Sequence, residues 1–166
     1  MKRLVVFFFL TCYLAGSAST VFAQYYKTGE DPAHVKWSQV TTGPFQIIYP
    51  RGLDSLAFRY AWLLEQVTPA VMSSLGISSP SIPVVLHAYN VNSNGTVTWA
   101  PKRIELITTP PSKGLSQNWE KQLVLHEIRH VGQMHLIGRN FFRVLGWFLG
   151  EQAEGIATGL YFPKWV

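Results

Sequence analysis

The side chains best suited to chemistry lie in one short segment, which reads HEIRH from His126 to His130. Each residue of an α-helix advances about 100°, so two histidines four positions apart lie one turn apart on the same face. Both imidazoles can then reach one metal ion. Glu127 lies beside that face, where its carboxylate can hold a water molecule without binding the metal. The spacing therefore predicts a Zn2+ site with His126 and His130 as ligands and Glu127 as the general base of a hydrolytic reaction.

The surrounding residues predict an amphipathic helix that presents the histidines to a cleft. Val124, Ile128 and Val131 fall on the opposite side and are expected to be buried. Ser116 is expected to cap this helix, with Trp119 in its opening turn. The alternative is an ordinary helix with two surface histidines. We favour metal binding, because a chance H-E-x-x-H is expected in on the order of 1% of chains of this size.

A catalytic zinc ion usually takes three protein ligands and leaves one position for water. Leu136 stands where a longer known pattern would place a third histidine. His135 lies about 180° round the helix from His126 and is expected to pack on its back. A later segment contains Glu151 and Glu154, three positions apart and so on one helical face. Glu154 is the predicted third ligand within this chain, and Glu151 is either an acceptor for a histidine N–H or a surface charge.

The run HEIRHVGQ, followed by a tryptophan-containing segment and the residues EGIA, resembles the glutamate zincins, the clan of thermolysin-like and membrane-alanyl-aminopeptidase-like enzymes. It is most similar to the peptidase-MA-like domains of secreted bacterial proteins, whose helix reads H-E-h-x-H-x-x-Q, with h apolar. In those domains the third ligand usually comes from a P-x-W-x-x-E-G-x-A stretch. The chain ends in FPKWV, which resembles the beginning of that stretch. The resemblance leaves two third ligands open, Glu154 or a glutamate beyond Val166.

The resemblance also implies a fold and a reaction. The expected fold is α+β and zincin-like, with a small mixed sheet followed by the active-site helix and a C-terminal helical segment. The expected reaction is zinc-dependent hydrolysis of a peptide or protein substrate. The alternative is a non-catalytic envelope module that has a zincin fold with an incomplete metal site and binds a partner.

The N-terminus has the charged, apolar and small-residue regions of a secretory signal peptide. We expect residues 1–23 to be the signal peptide and residues 24–166 to be one zincin-like domain, secreted or periplasmic. The apolar run is shorter than the roughly 20 residues that span a bilayer, so we expect no stable membrane span after cleavage. Cys12 lies in the signal, which leaves a mature chain without disulfides or thiolate ligands.

The charge balance argues against nucleic-acid binding. Of the 14 Lys and Arg residues, Lys2 and Arg3 leave with the signal peptide, so 12 basic residues face 9 acidic ones without a basic cluster.

Periodicity and turn residues predict the elements around the site. Strands are predicted at residues 37–41, 45–49, 84–88, 96–99 and 103–108. A helix is predicted from residue 55, with Asp54 as cap, a kink or division at Pro69 and an end at Gly76. The Asn-Gly pair in residues 92–95 predicts a tight hairpin turn.

Three further predictions concern the cleft itself. Residues 103–108 are predicted to be the edge strand along which an extended substrate pairs, or else an internal strand. Residues 141–149 are predicted to form a packed helix, with a membrane-facing flap as the alternative. His87 either faces the cleft or is structural.

Overall fold

The computed structural model describes residues 31–91, 93–112, 117–137, 141–152 and 155–156. The predicted signal peptide, Ser116 and Glu154 lie outside the described residues. The elements in chain order are β1 (Trp37–Thr42), β2 (Phe45–Pro50), α1 (Asp54–Ser74), β3 (Ile82–His87), β4 (Asn94–Trp99), β5 (Lys102–Ile107), α2 (Trp119–Ile137) and α3 (Phe141–Leu149). The predicted α+β class is confirmed, and all five predicted strands are present with small shifts of their ends.

The sheet is mixed and has the order β1-β2-β3-β5-β4. The three central strands β2, β3 and β5 are parallel, while β1 and β4 are antiparallel to their neighbours. The prediction that residues 103–108 form an edge strand is wrong, because β5 lies between β3 and β4. Instead β4 is the edge. It folds back on β5 through a short turn at Ala100 and Pro101, since Trp99 pairs with Lys102.

The predicted hairpin turn at residues 92–95 is also wrong. Asn94 and Gly95 belong to β4, where Gly95 pairs with Leu106 of β5. A tight turn there would require β3 and β4 to be neighbours, but β5 occupies that position beside β3. Strand order, a non-local property, therefore overrides the local preference of Asn-Gly for turns.

The core lies between one face of the sheet and the helices α1 and α2. Alternate residues of the central strands point into it, as the two-residue period of a strand requires. Val124 and Ile128 of α2 are fully buried and Val131 is nearly so, as predicted for the back of that helix. The other hydrophobic side chains of this core that are 0% exposed are Ile47, Ala57, Tyr60, Val84, Leu86, Ile104 and Leu106.

Helix α1 is continuous from Asp54 to Ser74 and includes Pro69, so its predicted division is wrong. Burial of apolar side chains on both sides of Pro69, including Leu64 and Val71, offsets the backbone hydrogen bond that proline cannot make. Asp54 is the first helical residue rather than the cap, and its carboxylate accepts a hydrogen bond from the Tyr49 hydroxyl at 2.8 Å. The predicted end at Gly76 is confirmed by its φ of 65°.

Helix α2 is capped by Asn118, whose Oδ1 accepts a hydrogen bond from the backbone N–H of Lys121 at 3.1 Å. Asn118 therefore fills the role predicted for Ser116. His135 is exposed, so its predicted packing on the back of α2 is wrong. The reason is its position near the helix end, beyond Val131 and Gly132, which are the last buried residues among the described side chains of α2.

Helix α3 forms where a helix was predicted, but its described side chains are not packed as expected. Trp147 is 79% exposed and Phe148 70% exposed, and Val144 and Leu149 are also exposed. Within the described residues, no helix is both long and apolar enough to cross a membrane.

Candidate metal centre

The two histidines of the HEIRH segment converge on α2. Their Nε2 atoms lie 3.0 Å apart, and their rings meet edge to face with centroids 4.5 Å apart. Two nitrogens bound to one tetrahedral zinc ion at 2.0–2.1 Å would be about 3.3 Å apart. The observed pair is therefore within a few tenths of an ångström of the separation that shared coordination requires. Imidazole nitrogen is also a preferred zinc ligand, so the donor chemistry fits.

Gln133 orients the second histidine. Its Oε1 lies 3.1 Å from Nδ1 of His130, one helical turn earlier. A proton on Nδ1 would donate to this amide oxygen and leave the lone pair of Nε2 for a metal. The sequence analysis assigned no role to Gln133, although its position three residues after His130 places the two side chains on one helical face.

His126 lies on the exposed side of α2 and opens toward the cleft. Desolvation lowers the pKa of His126, and the positive charges of His130 and Arg129 lower it further. A lowered pKa favours the neutral imidazole, which is the form that binds a metal ion.

Glu127 is buried against the edge strand, with only 3% of its surface exposed. Burial raises the pKa of its carboxyl group to about 7. Its Oε2 is buried and has no hydrogen-bond partner among the described residues. A carboxylate with a pKa near neutrality and an unused acceptor atom is suited to exchange protons at physiological pH.

A cavity of about 500 Å³ lies between α2 and β4 and contains all three side chains. Gly95 and Val97 of β4 pair with Leu106 and Ile104, the core-facing residues of β5, and Trp99 lies two residues further along the same face. The pleat of β4 therefore points all three residues toward α2. The cavity is lined by His126, Glu127, His130, Gln133 and Met134 of α2 and by Asn94, Gly95, Thr96, Val97 and Trp99 of β4.

A third ligand is not found in the described part of the chain, where no group of three His, Cys, Asp or Glu side chains is arranged to hold a metal ion. The predicted ligand Glu154 lies outside the described residues. Its neighbour Gly155 packs on the cleft wall, because a Cβ atom built there would lie 2.6 Å from Cδ1 of Trp99. Glu151 is exposed, and its Oε2 accepts a hydrogen bond from the backbone N–H of Lys102 at 3.3 Å.

His87 does not belong to this centre. It is 6% exposed and alternates with the core-facing Leu86, so it lies on the other face of the sheet. Its Nδ1 is 2.5 Å from Oδ2 of Asp31, and its Nε2 is 3.7 Å from Oε2 of Glu105. Arg103 pairs with the same glutamate at 2.5 Å. The contacts of His87 therefore favour a structural role.

Comparison of the chain with protein-family models, with curated proteins and with solved structures finds no match.

Proposed function

We propose that this protein is a secreted or periplasmic zinc metallopeptidase that hydrolyses peptide bonds in the cleft between α2 and β4. The main support is the convergence of the two Nε2 atoms, 3.0 Å apart, beside the buried carboxyl group of Glu127. Two surface histidines on an ordinary helix would not be expected to line a cavity together with a buried glutamate whose Oε2 has no hydrogen-bond partner among the described residues. This combination favours a catalytic centre over a chance motif.

His126 and His130 would hold the zinc ion, with Glu154 as the proposed third ligand. Gly155 packs against Trp99 in the cleft wall, and Glu154 is the residue that precedes it in the sequence. When bound, zinc supplies a Lewis acid that polarises the substrate carbonyl and lowers the pKa of water toward neutrality. Gln133 keeps His130 in the tautomer that this arrangement needs.

Glu127 would act as general base and then as general acid. Its carboxylate takes a proton from the attacking water and delivers it to the leaving amine, so it must be ionised first and protonated later. A pKa of about 7 makes both states accessible near neutral pH. Its burial also keeps bulk water away from the proton that is transferred.

The edge strand would position the substrate. Among the described strands, β4 pairs with β5 alone, and its residues form one wall of the cleft. An extended peptide can pair with such an edge through backbone hydrogen bonds, with little demand on its side chains. A zincin-like fold, with this strand along the active-site helix, is part of the same proposal.

The second candidate is a non-catalytic envelope module that binds a partner through the same cleft. It is favoured by the lack of a third ligand among the described residues. The two candidates differ in zinc stoichiometry and in hydrolysis, which can be measured together.

The test uses the chain from Gln24 and combines elemental analysis with cleavage of a broad peptide library. We expect about one zinc per chain in the wild type, removal of zinc and activity by a chelator, and loss of zinc in His126→Ala and Glu154→Ala. Glu127→Gln should retain zinc while its cleavage rate falls by about 10²- to 10⁴-fold. His135→Ala is the matched control, since His135 is an exposed histidine of the same helix.

Zinc-loaded wild type that cleaves no peptide would favour the binding module over the enzyme. Zinc that survives Glu154→Ala would place the third ligand elsewhere. No zinc in the wild type would exclude the proposed centre for this chain.

A further inference from the structure

Gly95 of the edge strand lies directly against the side chain of Glu127. A Cβ atom built on Gly95 would lie 2.7 Å from Oε1, 2.8 Å from Cδ and 2.8 Å from Cγ of Glu127. These three atoms form the end of the glutamate side chain, so the carboxyl group passes directly over the glycine. Any side chain larger than hydrogen at position 95 would occupy the volume in which Glu127 now lies.

The backbone does not explain a glycine at this position. The φ of Gly95 is not in the positive region, in contrast to the turn glycines Gly43 and Gly52. Position 95 is a regular strand position that pairs with Leu106, and glycine weakens a strand relative to residues with a side chain. Glycine inside a strand often marks a place where another group must approach closely. Here that group is the carboxyl end of Glu127.

We propose that Gly95 is a positioning residue for Glu127, because its missing side chain leaves the slot that holds the general base against the edge strand and facing the cleft. The proposal rests on the catalytic role proposed above for Glu127. It adds a second role for β4. The outer edge of the strand would pair with the substrate, and its helix-facing side sets the position of the general base.

A methyl group at position 95 would displace the carboxyl group without touching the metal ligands. The three nearest atoms to the added Cβ all belong to Glu127, and none belongs to His126 or His130. A displacement of about 1 Å at a reacting group can lower a rate by about 10²-fold. We therefore expect Gly95→Ala to keep its zinc and its KM within about twofold and to lose at least about tenfold in kcat. KM should persist because alanine leaves the backbone hydrogen bonds of the edge unchanged.

The contact itself is tested by a double-mutant cycle that needs no enzymatic activity. The urea midpoint is measured for wild type, Gly95→Ala, Glu127→Ala and the double variant. Gly95→Ala should lower the midpoint in the wild-type background. It should not lower the midpoint when Glu127 is alanine, because the slot is then free. An equal lowering in both backgrounds would overturn the proposed contact.

Thr98→Ala serves as the control for general damage to β4. Its hydroxyl lies 3.0 Å from the carbonyl oxygen of Pro101 and 3.3 Å from that of Arg103, and its one proton is shared between these two acceptors of the hairpin. We expect this variant to lower the urea midpoint while it keeps kcat. A kcat for Gly95→Ala equal to that of wild type would overturn the positioning role. Inactive wild type would defeat the proposed function itself, and the cycle would then still report whether Gly95 and Glu127 are in contact.

Discussion

The two histidines of the candidate centre have different surroundings. Nδ1 of His130 is held by Gln133, whereas His126 is exposed and its pKa is lowered by desolvation and by nearby positive charge. One candidate ligand is thus held by a hydrogen bond, and the lowered pKa of the other favours its neutral form. Glu127 lies between them in sequence but is buried, and Gly95 of the edge strand lies against its side chain.

The contact between Gln133 and His130 can be tested by substitution of the glutamine. Gln133→Leu removes the acceptor that fixes the tautomer of His130, so zinc affinity should fall by about 10- to 100-fold. Competition with a chromophoric chelator measures this change. Gln122→Leu, an exposed glutamine in the first half of the same helix, is the control. Equal zinc affinity in wild type and Gln133→Leu would show that the amide does not orient the ligand.

Helix α2 is the element on which the candidate centre depends, and it is held on two sides. Its start is tied to α1 by an ion pair between Arg59 and Glu120 at 2.7 Å. Near its end, a Cβ atom built on Gly132 would lie 2.3 Å from Cδ1 of Leu75, just after the last residue of α1. The glycine thus permits a close approach of α2, the helix that contains His126 and His130, to the end of α1.

We therefore expect Gly132→Val to lower the free energy of unfolding by about 1–3 kcal/mol, because overpacking forces neighbouring side chains or the helix itself to move. Urea titration measures the loss. His135→Val adds the same branched side chain at an exposed position of α2, so it controls for helix propensity. Similar losses in the two variants would contradict the close approach of α2 to the end of α1.

At the scale of the whole molecule, the two faces of the sheet have different roles. One face packs on α1 and α2 and borders the cleft. The other face contains the buried charged cluster, which consists of Asp31, His87, Arg103 and Glu105. This cluster joins Asp31, which precedes β1, to His87 at the end of β3 and to Arg103 and Glu105 in β5.

Replacement of His87 by leucine should therefore destabilise the fold without affecting the candidate centre. The carboxylate of Asp31 would lose Nδ1 of His87, which lies 2.5 Å from its Oδ2, and a buried polar group left without its partner costs about 1–3 kcal/mol. Urea titration of the metal-free chain measures the stability, and zinc titration should give the wild-type stoichiometry. His34→Leu, at an exposed histidine, is the control. Zinc loss caused by His87→Leu at temperatures where the protein is folded would place His87 in the metal centre instead.

Features that depend on local geometry could be predicted from the sequence. A helix brings residues four apart onto one face, so the neighbourhood of His126 and His130 followed from their spacing. The burial of Val124 and Ile128 followed from the same periodicity. The strands followed from β-branched and apolar runs between turn residues, and the end of α1 followed from Gly76. Each of these relations involves residues that are close along the chain.

Tertiary structure decided which strand is the edge and what surrounds the general base. The order β3-β5-β4 depends on how distant segments pack, so residues 103–108 became internal and Asn94 and Gly95 entered a strand rather than a turn. Only that order brings Gly95 over Glu127 and buries its carboxyl group. The raised pKa of Glu127 has the same origin, because desolvation is a property of the packed protein and not of the HEIRH segment alone.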